Sequence, residues 1–411
     1  MAISGSKVAI VGGSIAGCSA AIALGHLGCE VHIFERSSSA LRDRGSGIAI
    51  PIALRDTLIA GGYLPADYPS IVPSVRRWVV ADGTATGKEL WVQASAAALS
   101  NWGVLWRSLR ANIGDAEYRD GIHIDAVETT SSGAAVHFED GSSEQFDVVF
   151  GADGYRSAVR ASLFPDSAPV YAGYMLWRGN FPESELTDRG GIENLDSANA
   201  WLTVGYDGGH GVMYPIPEFD DSTEPGHRRV NWAIYGAQPD GFDFTEPTSI
   251  PPGRVDEETY ALLEQLLDQS FPPMYRPLFA SPRHEVSIQP IYDELPGAYT
   301  SGRVALIGDA GSVTRPHTGS GATKAMQDAL MIERLGAEHD NWDDLLAAYD
   351  ADRTANGASV VALGRRIGRD QVERTPPWST MTPADFEAWT AATLGGDDLY
   401  FYGDTIDDSA D

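Results

Sequence analysis

Three turns rich in glycine and acid, together with two histidines, hold the residue types best able to do chemistry in this chain. In the first turn, Gly12-Gly13-Ser14-Ile15-Ala16-Gly17, glycine stands at the first and last positions of a G-x-G-x-x-G pattern and Ser14 in the middle. Gly12 permits a tight turn, Ser14 a fairly close backbone approach, and Gly17 close packing of helix on strand. The helix that begins with Ile15 and Ala16 would offer amides and partial positive charge to a pyrophosphate. Glu35, with Arg36 beside it, follows a second strand and can accept from ribose hydroxyls while disfavouring a 2′-phosphate. The competing reading is a glycine turn that serves packing alone.

The second turn ends the buried-strand pattern Val304–Ile307 in Gly308-Asp309, setting a carboxylate at the C-terminal edge of a sheet, near the first turn. Pro316-His317-Thr318-Gly319-Ser320-Gly321-Ala322 then leads into a helix whose N-terminus faces the same crevice. A nicotinamide seldom needs that second element. A flavin does, because its ribityl chain wants an acceptor such as Asp309 and its reduced ring, anionic around N1 and C2=O, is stabilised by a helix N-terminus. The third turn, Asp153-Gly154 within Asp147–Arg160, reads by itself as a strand, a turn and a capped helix.

The elements that must position these residues fit a chain of 411 residues, enough for two or three domains around a large core. Hydrophobic residues at 43% and charged residues at 21% argue against wholesale disorder. With 29 Lys plus Arg against 58 Asp plus Glu, the net charge of −29 repels nucleic acid and anionic membranes, so neither is an expected partner. Only Cys18 and Cys29 occur, and no 18-residue apolar run or signal peptide is visible, which points to a reducing, cytoplasmic setting. No clustered metal-ligand spacing stands out.

The pattern predicts an α/β protein: a Rossmann-like nucleotide-binding domain, discontinuous in sequence, with an inserted α+β domain built on an antiparallel sheet, plus C-terminal helices. The expected division is 1–72, 96–168 and 291–370 for the nucleotide domain, and 73–95 (a hairpin) and 169–290 for the inserted domain. A final helix and acidic tail take 371–411, flexible from Asp397 onward. A helix is expected from Ile48 to Tyr63, others over Leu105–Ile113, Glu257–Ser270, Ala347–Arg369 and Pro383–Leu394, and strands over Tyr171–Phe181, Ala200–Tyr206, Gly211–Pro215 and Arg229–Gly236.

The three turns, in this order over some 300 residues, resemble the flavin-dependent aromatic hydroxylases of the para-hydroxybenzoate hydroxylase type. Gly173–Gly179, Tyr214–Pro217, Arg228–Tyr235 and Arg315-Pro316-His317 are similar to the branch that contains 2,6-dihydroxypyridine 3-hydroxylase. The resemblance implies FAD as cofactor, NADH or NADPH as a transient co-substrate, and O₂. The reaction implied is hydroxylation of an electron-rich hydroxylated aromatic or N-heteroaromatic ring through a C4a-hydroperoxyflavin. Carried over by position, Gly12, Ser14 and Gly17 hold the pyrophosphate, Glu35 the ribose, Arg107 the phosphates or flavin edge, and Asp309 the ribityl chain. Asp153 serves FAD and the reduced nicotinamide, Arg44 lies beside the flavin, and Pro316–Gly321 sits over the isoalloxazine. Ser312 and Thr323 stand where the family usually has His and Asn. Rival readings are a flavin reductase or dehydrogenase, or a flavin-holding protein without turnover, on the same fold. A homodimer is one expected assembly.

In the inserted domain Trp177, Trp201, Trp232, Tyr214 and Tyr235 could wall a flat ring, or could simply pack the sheet. Arg178 reads as a substrate clamp or a salt-bridged arginine. His210 and His317 are candidate bases for a ring hydroxyl, for which a pKa near neutrality would give a rate rising around pH 7, or else solvated turn histidines. Tyr206 and Gln289 are further candidates.

Overall fold

Val8–Val11 and Val31–Phe34 are unbroken apolar runs, the pattern of strands covered on both faces. In the computed structural model, which describes residues 1–38, 46–130, 132–186, 200–239 and 249–394, both are central strands. The chain opens with β1 (Lys7–Val11), α1 (Ile15–His26), β2 (Glu30–Glu35), β3 (Gly47–Pro51) and α2 (Ile52–Ala60). It continues through β4 (Val75–Val80), β5 (Lys88–Ala94), β6 (Ala97–Asn101), α3 (Trp102–Ala111), β7 (Glu117–Asp120), β8 (Ile124–Thr129), β9 (Ala134–Phe138), β10 (Ser143–Phe146), β11 (Val148–Gly151) and α4 (Ala158–Leu163). Then come β12 (Val170–Pro182), β13 (Ala200–Tyr206), β14 (Gly209–Ile216), β15 (Arg229–Ala237), α5 (Glu257–Ser270), α6 (Arg276–Phe279) and β16 (Ser287–Asp293). The described chain closes with β17 (Thr300–Ser301), β18 (Val304–Leu306), α7 (Ser320–Glu338), α8 (Trp342–Gly368) and α9 (Pro383–Leu394).

A six-stranded sheet in the order β17-β18-β11-β1-β2-β7 gathers segments far apart in sequence, so the Rossmann-like unit is discontinuous. Its inner strands run parallel. One face buries Val8, Ile10 and Ile33 with apolar side chains of α1 and α7. The other buries Ala9, Val11 and Phe34 with residues of the β8-β9-β10 sheet. The second large sheet runs β16-β12-β15-β14-β13-β4-β5. It is antiparallel except where β13 lies parallel to β4. That departs from the all-antiparallel expectation, and the reason is connectivity: more than a hundred residues separate the two strands, so no hairpin dictates their direction.

The stretch expected as one helix from Ile48 is strand β3 followed by α2. Ile48 and Ile50 alternate with less apolar positions, and β3 pairs antiparallel with β6. The C-terminal helix begins at Trp342, earlier than expected, because Asn341 caps it by accepting from the Asp344 amide. It ends in a π-helical turn, Arg369–Glu373. The acidic tail from Asp397 lies outside the described residues. Among the described residues no helix is long and apolar enough to cross a membrane, and no group of three or more His, Cys, Asp or Glu could hold a metal.

Candidate active site

Where β1 turns into α1, Gly12 has φ of 103°, in the left-handed region that glycine tolerates. A Cβ at Gly17 would lie 1.8 Å from the Gly12 carbonyl oxygen, and one at Gly12 2.4 Å from that of Ala152. The turn therefore closes only with glycine at both positions. Ser14 enters the helix extended and its hydroxyl caps nothing, which leaves the first amides of α1 without a side-chain partner. Glu35 accepts from the Gly13 amide at 2.8 Å and the Ser37 amide at 2.7 Å, so its carboxylate is held at the tip of β2 with lone pairs to spare. Trp106 Nε1 and the Tyr118 hydroxyl both donate to the Gly13 carbonyl, at 2.9 and 3.1 Å.

Two half-buried carboxylates follow. Asp153 accepts from the Ser157 hydroxyl and from the Ala158 and Val159 amides at 2.7 and 3.2 Å, and so holds the start of α4. Burial raises its pKa, and these hydrogen bonds oppose the rise. Asp309 lines the cavity instead. Burial raises its pKa as well, while the nearby Lys324 and Arg160 cations pull it down. Gly308, with φ of 63°, is fixed by Asp328, which accepts its amide at 2.8 Å, and by Lys324, which donates to its carbonyl. Arg160 stitches the two turns together, donating to the Asp309, Ala310 and Tyr155 carbonyls.

A cavity of about 550 Å³ runs from Ser14, Ile15, Ala16 and Asp309, past Pro316, His317, Gly319, Gly321 and Ala322, to one face of the seven-stranded sheet. Side chains on a strand alternate between faces. The registers place Gln289, Leu176, Tyr235 and His210 in one row across the cavity face. Arg178, Ala233, Val212 and Thr203 form the next row, and Asn180, Asn231, Tyr214 and Trp201 the third. Tyr214 and Trp201 are in ring contact at 5.3 Å, and the Arg76 guanidinium lies 4.6 Å from the Trp201 ring. His210 stacks on Tyr235 at 4.7 Å and 15°, with Trp78 on a parallel plane at 6.2 Å. His317 meets Tyr235 at 4.2 Å, and its Nε2 shares a hydrogen bond with the Tyr174 hydroxyl at 2.7 Å. Burial drives the His210 pKa down to about 3 and that of His317 well below its ordinary value. Both imidazoles are therefore uncharged at neutral pH.

Residues 254–363 match the FAD binding domain family, residues 171–288 an FAD binding domain-like family, and residues 7–50 the pyridine nucleotide-disulphide oxidoreductase family. The 2,6-dihydroxypyridine 3-monooxygenase of Paenarthrobacter nicotinovorans is 27% identical over 85% of this chain and 88% of its own. The 6-hydroxynicotinate 3-monooxygenase of Pseudomonas fluorescens is 24% identical over 90% and 94%. In structure, 2,6-dihydroxypyridine-3-hydroxylase from Arthrobacter nicotinovorans superposes with a TM-score of 0.78 at 25% identity, covering 90% of this chain and 94% of that one. Over most of its length the chain is thus similar to flavin-dependent aromatic hydroxylases. Klebsiella pneumoniae HpxO, solved with FAD and uric acid, shares the fold at a TM-score of 0.74 and 22% identity, over 95% and 97% of the two chains.

The cofactor of this hydroxylase is FAD, and the residues present fit it. The Asp309 carboxylate faces the cavity, the first turn of α1 opens onto it, and a Cβ at Gly321 would meet no protein atom. Several expected residues stand elsewhere. Trp177 and Trp232 are not cavity walls: both point to the opposite face of the sheet, into an apolar core with Phe279, because Arg178 and Ala233 next to them take the cavity side. Asp153 does not reach the cavity, since the amides that begin α4 claim its carboxylate. Arg36 is exposed and away from the cavity. Arg107 bonds the Phe219 carbonyl at 3.0 Å and the Asp221 carboxylate. Arg44 lies outside the described residues. Tyr206 faces the buried core and donates to the Tyr235 carbonyl at 2.6 Å, whereas Gln289 lines the cavity. At the two departures from the family pattern, Ser312 bonds the Tyr299 hydroxyl at 2.7 Å and Thr323 the Gly319 carbonyl at 3.4 Å. Sequence reasoning missed Arg76, Trp102, Asn231 and Gln371, all on the cavity wall. Strand parity could have found Asn231, which shares a face with Tyr235.

Proposed function

We propose that this chain uses NADH or NADPH and O₂ to hydroxylate an electron-rich aromatic or N-heteroaromatic ring that already bears a hydroxyl. The observation that carries the reading is the one cavity joining the α1 amides and Asp309 to the aromatic face of the second sheet. Bound FAD supplies the redox and oxygen-activating chemistry. The chain's own residues do the rest. Ser14, Ile15 and Ala16 at the start of α1 receive the pyrophosphate, Glu35 the ribose and Asp309 the ribityl hydroxyls. The N-terminus of α7, with Gly319, Gly321 and Ala322, offers positive potential to the reduced ring, and Pro316 holds the turn that leads there.

Trp201, Tyr214 and Tyr235 orient a flat ring and exclude water from it. His210 has an uncharged imidazole whose buried Nδ1 bonds no protein atom among the described residues, so it can accept a hydrogen bond from a ring hydroxyl and orient it. Because burial holds its pKa at about 3, the rate does not rise around neutrality. We assign residues 1–72, 96–168 and 291–370 to FAD and 73–95 with 169–290 to substrate. The names of the two relatives above favour nitrogen heterocycles.

The test is NAD(P)H oxidation under ¹⁸O₂ with a panel of phenols and hydroxylated azaarenes. Oxidation stimulated by the ring with ¹⁸O in the product supports the reading. Oxidation without incorporation makes the protein a reductase, and no stimulation at all makes it a flavin holder.

A further inference from the structure

Lys324 is one of only three lysines in the chain, and it is 1% exposed. A buried ammonium is costly unless acceptors and a counter-charge stand beside it. Its Nζ donates to the Gly308 carbonyl. Asp328, one turn further along α7, accepts from the amide of the same glycine at 2.8 Å. Residues four apart share a helix face, so an ammonium and a carboxylate on α7 clasp Gly308 at both of its peptide groups. The fit is close: a Cβ at Gly308 would lie 3.0 Å from the Ala16 Cβ on α1 and 3.2 Å from that of Ala325 on α7. The carbonyl that Lys324 holds belongs to the peptide that leads into Asp309.

The charges around this clasp are unevenly matched. Asp328 has Arg353 of α8 at 3.2 Å, and Arg353 also pairs with Asp352. Arg160 of α4 spends its donors on the Tyr155, Asp309 and Ala310 carbonyls. What remains is Lys324, whose ammonium bonds a neutral carbonyl, and Asp309, whose carboxylate lines the cavity. Each favours the charge of the other. Lys324, ahead of Arg160, draws the Asp309 pKa down against burial and the Asp328 charge. Asp328 and Asp309 in turn favour the ammonium against burial and the Arg353 and Arg160 cations. Asp309 offers a ribityl hydroxyl a charge-assisted hydrogen bond only as the carboxylate. A bound cofactor shuts water away from Asp309 and deepens the burial that favours its acid form, so the cation behind the turn matters most when the site is filled.

We propose that Lys324 is the counter-cation of the FAD site, a positioning residue that fixes the Gly308-Asp309 turn from the α7 side and holds Asp309 as a carboxylate for the ribityl chain. Lys324 is not on the cavity wall, so it acts through Asp309. This rests on FAD as the cofactor and holds whatever ring the cavity takes.

The experiment measures FAD dissociation constants from pH 5 to 9, by the change in flavin fluorescence on binding, for the parent, Lys324→Gln and Lys324→Arg. Glutamine can still donate to the Gly308 carbonyl but carries no charge, whereas arginine keeps the charge. In the parent, affinity falls at the acid end as Asp309 takes up a proton. In Lys324→Gln the midpoint of that fall should move up by about 1–3 pH units, the effect of removing an opposite charge at close range. In Lys324→Arg it should stay near that of the parent. A midpoint that does not move in Lys324→Gln, whether affinity drops equally at every pH or not at all, overturns the proposal. A reciprocal measurement needs no variant at Lys324. Protein labelled with [ε-¹³C]lysine gives one NMR signal for each of Lys7, Lys88 and Lys324, and Lys7→Arg and Lys88→Arg identify the first two. Asp309→Asn, saturated with FAD, should lower the pH at which the Lys324 signal titrates, because coupling between two sites is mutual. An unchanged Lys324 titration, or a Lys324 already neutral at pH 7 in the FAD-loaded parent, overturns the proposal.

Discussion

The two faces of the seven-stranded sheet use the same strands and nearly the same residue types, yet they are built for opposite purposes. On the face toward α5 and α6, Trp177, Trp232, Met213 and Leu202 interlock with Phe271 and Phe279. On the other, Trp201, Tyr214, Tyr235 and His210 border a cavity. The two half-buried carboxylates beside the six-stranded sheet repeat the contrast. Asp153 spends its lone pairs on protein amides, and Asp309 lines the cavity. Residue type does not separate packing from function here. What separates them is whether the polar or aromatic surface meets protein or a ligand space, and each experiment below can break that distinction or sharpen it.

The largest expected effect is on the packed face. Trp232 is fully buried and its Nε1 donates to Ser281 Oγ at 2.6 Å. Trp232→Ala should cost about 3–5 kcal/mol of stability, read by denaturant or thermal unfolding of the FAD-loaded protein. Trp201→Ala, on the cavity face, should cost much less stability and instead weaken binding of the aromatic substrate. If the two losses of stability are alike, the cavity face is as much core as the other.

The histidines give the next effect, and its sign follows from proton counting. His210 has its pKa lowered from 6.5 to about 3 by burial, so between those values the unfolded chain binds a proton that the folded chain refuses. Stability is complete above pH 6.5 and falls as pH drops toward 3, by up to about 1.4 kcal/mol per pH unit. His317, shifted the same way, adds to the slope. Unfolding midpoints between pH 4 and 7 should fall less steeply for His210→Gln than for the parent. Parallel curves would mean that His210 is charged or solvated in the folded protein.

Much of this was legible in the sequence because it depends on short-range geometry. The Gly12–Gly17 turn, the strand–Asp309 edge and the helix Glu257–Ser270 all follow from local spacing, and the structure has them in place. Trp177 and Arg178 show what aromatic content hides. Neighbours on a strand cannot share a face, but which of them meets the cavity depends on how α5 and α6 cover the sheet. Gln371 was invisible for another reason. It reaches the cavity from a π-helical turn near the end of the described chain, and no periodicity announces such a turn.

Asp309→Ala should come third, weakening FAD by about 1–3 kcal/mol through loss of a charge-assisted hydrogen bond. Titration of the apoprotein with FAD measures it. The fold of the apoprotein should change little, since no hydrogen bond to a described residue depends on that carboxylate. An Asp309→Ala protein that binds FAD as tightly as the parent would move Asp309 to the packing side of the comparison.

The smallest effect expected is at Asp153, where two roles make opposite forecasts. A carboxylate serving the cofactor would, once neutralised, slow anaerobic reduction of bound FAD by NAD(P)H. A carboxylate that only holds the start of α4 would lower stability and leave the chemistry alone. Asp153→Asn keeps one acceptor oxygen of the two, so it can still take an amide hydrogen bond but not all three bonds from Ser157, Ala158 and Val159. The expected cost is about 1 kcal/mol of stability. The rate of flavin reduction, measured by stopped-flow and normalised to bound FAD, should be unchanged. A reduction rate several-fold lower at full FAD occupancy would return Asp153 to the cofactor, and burial against protein amides would then no longer distinguish it from Asp309.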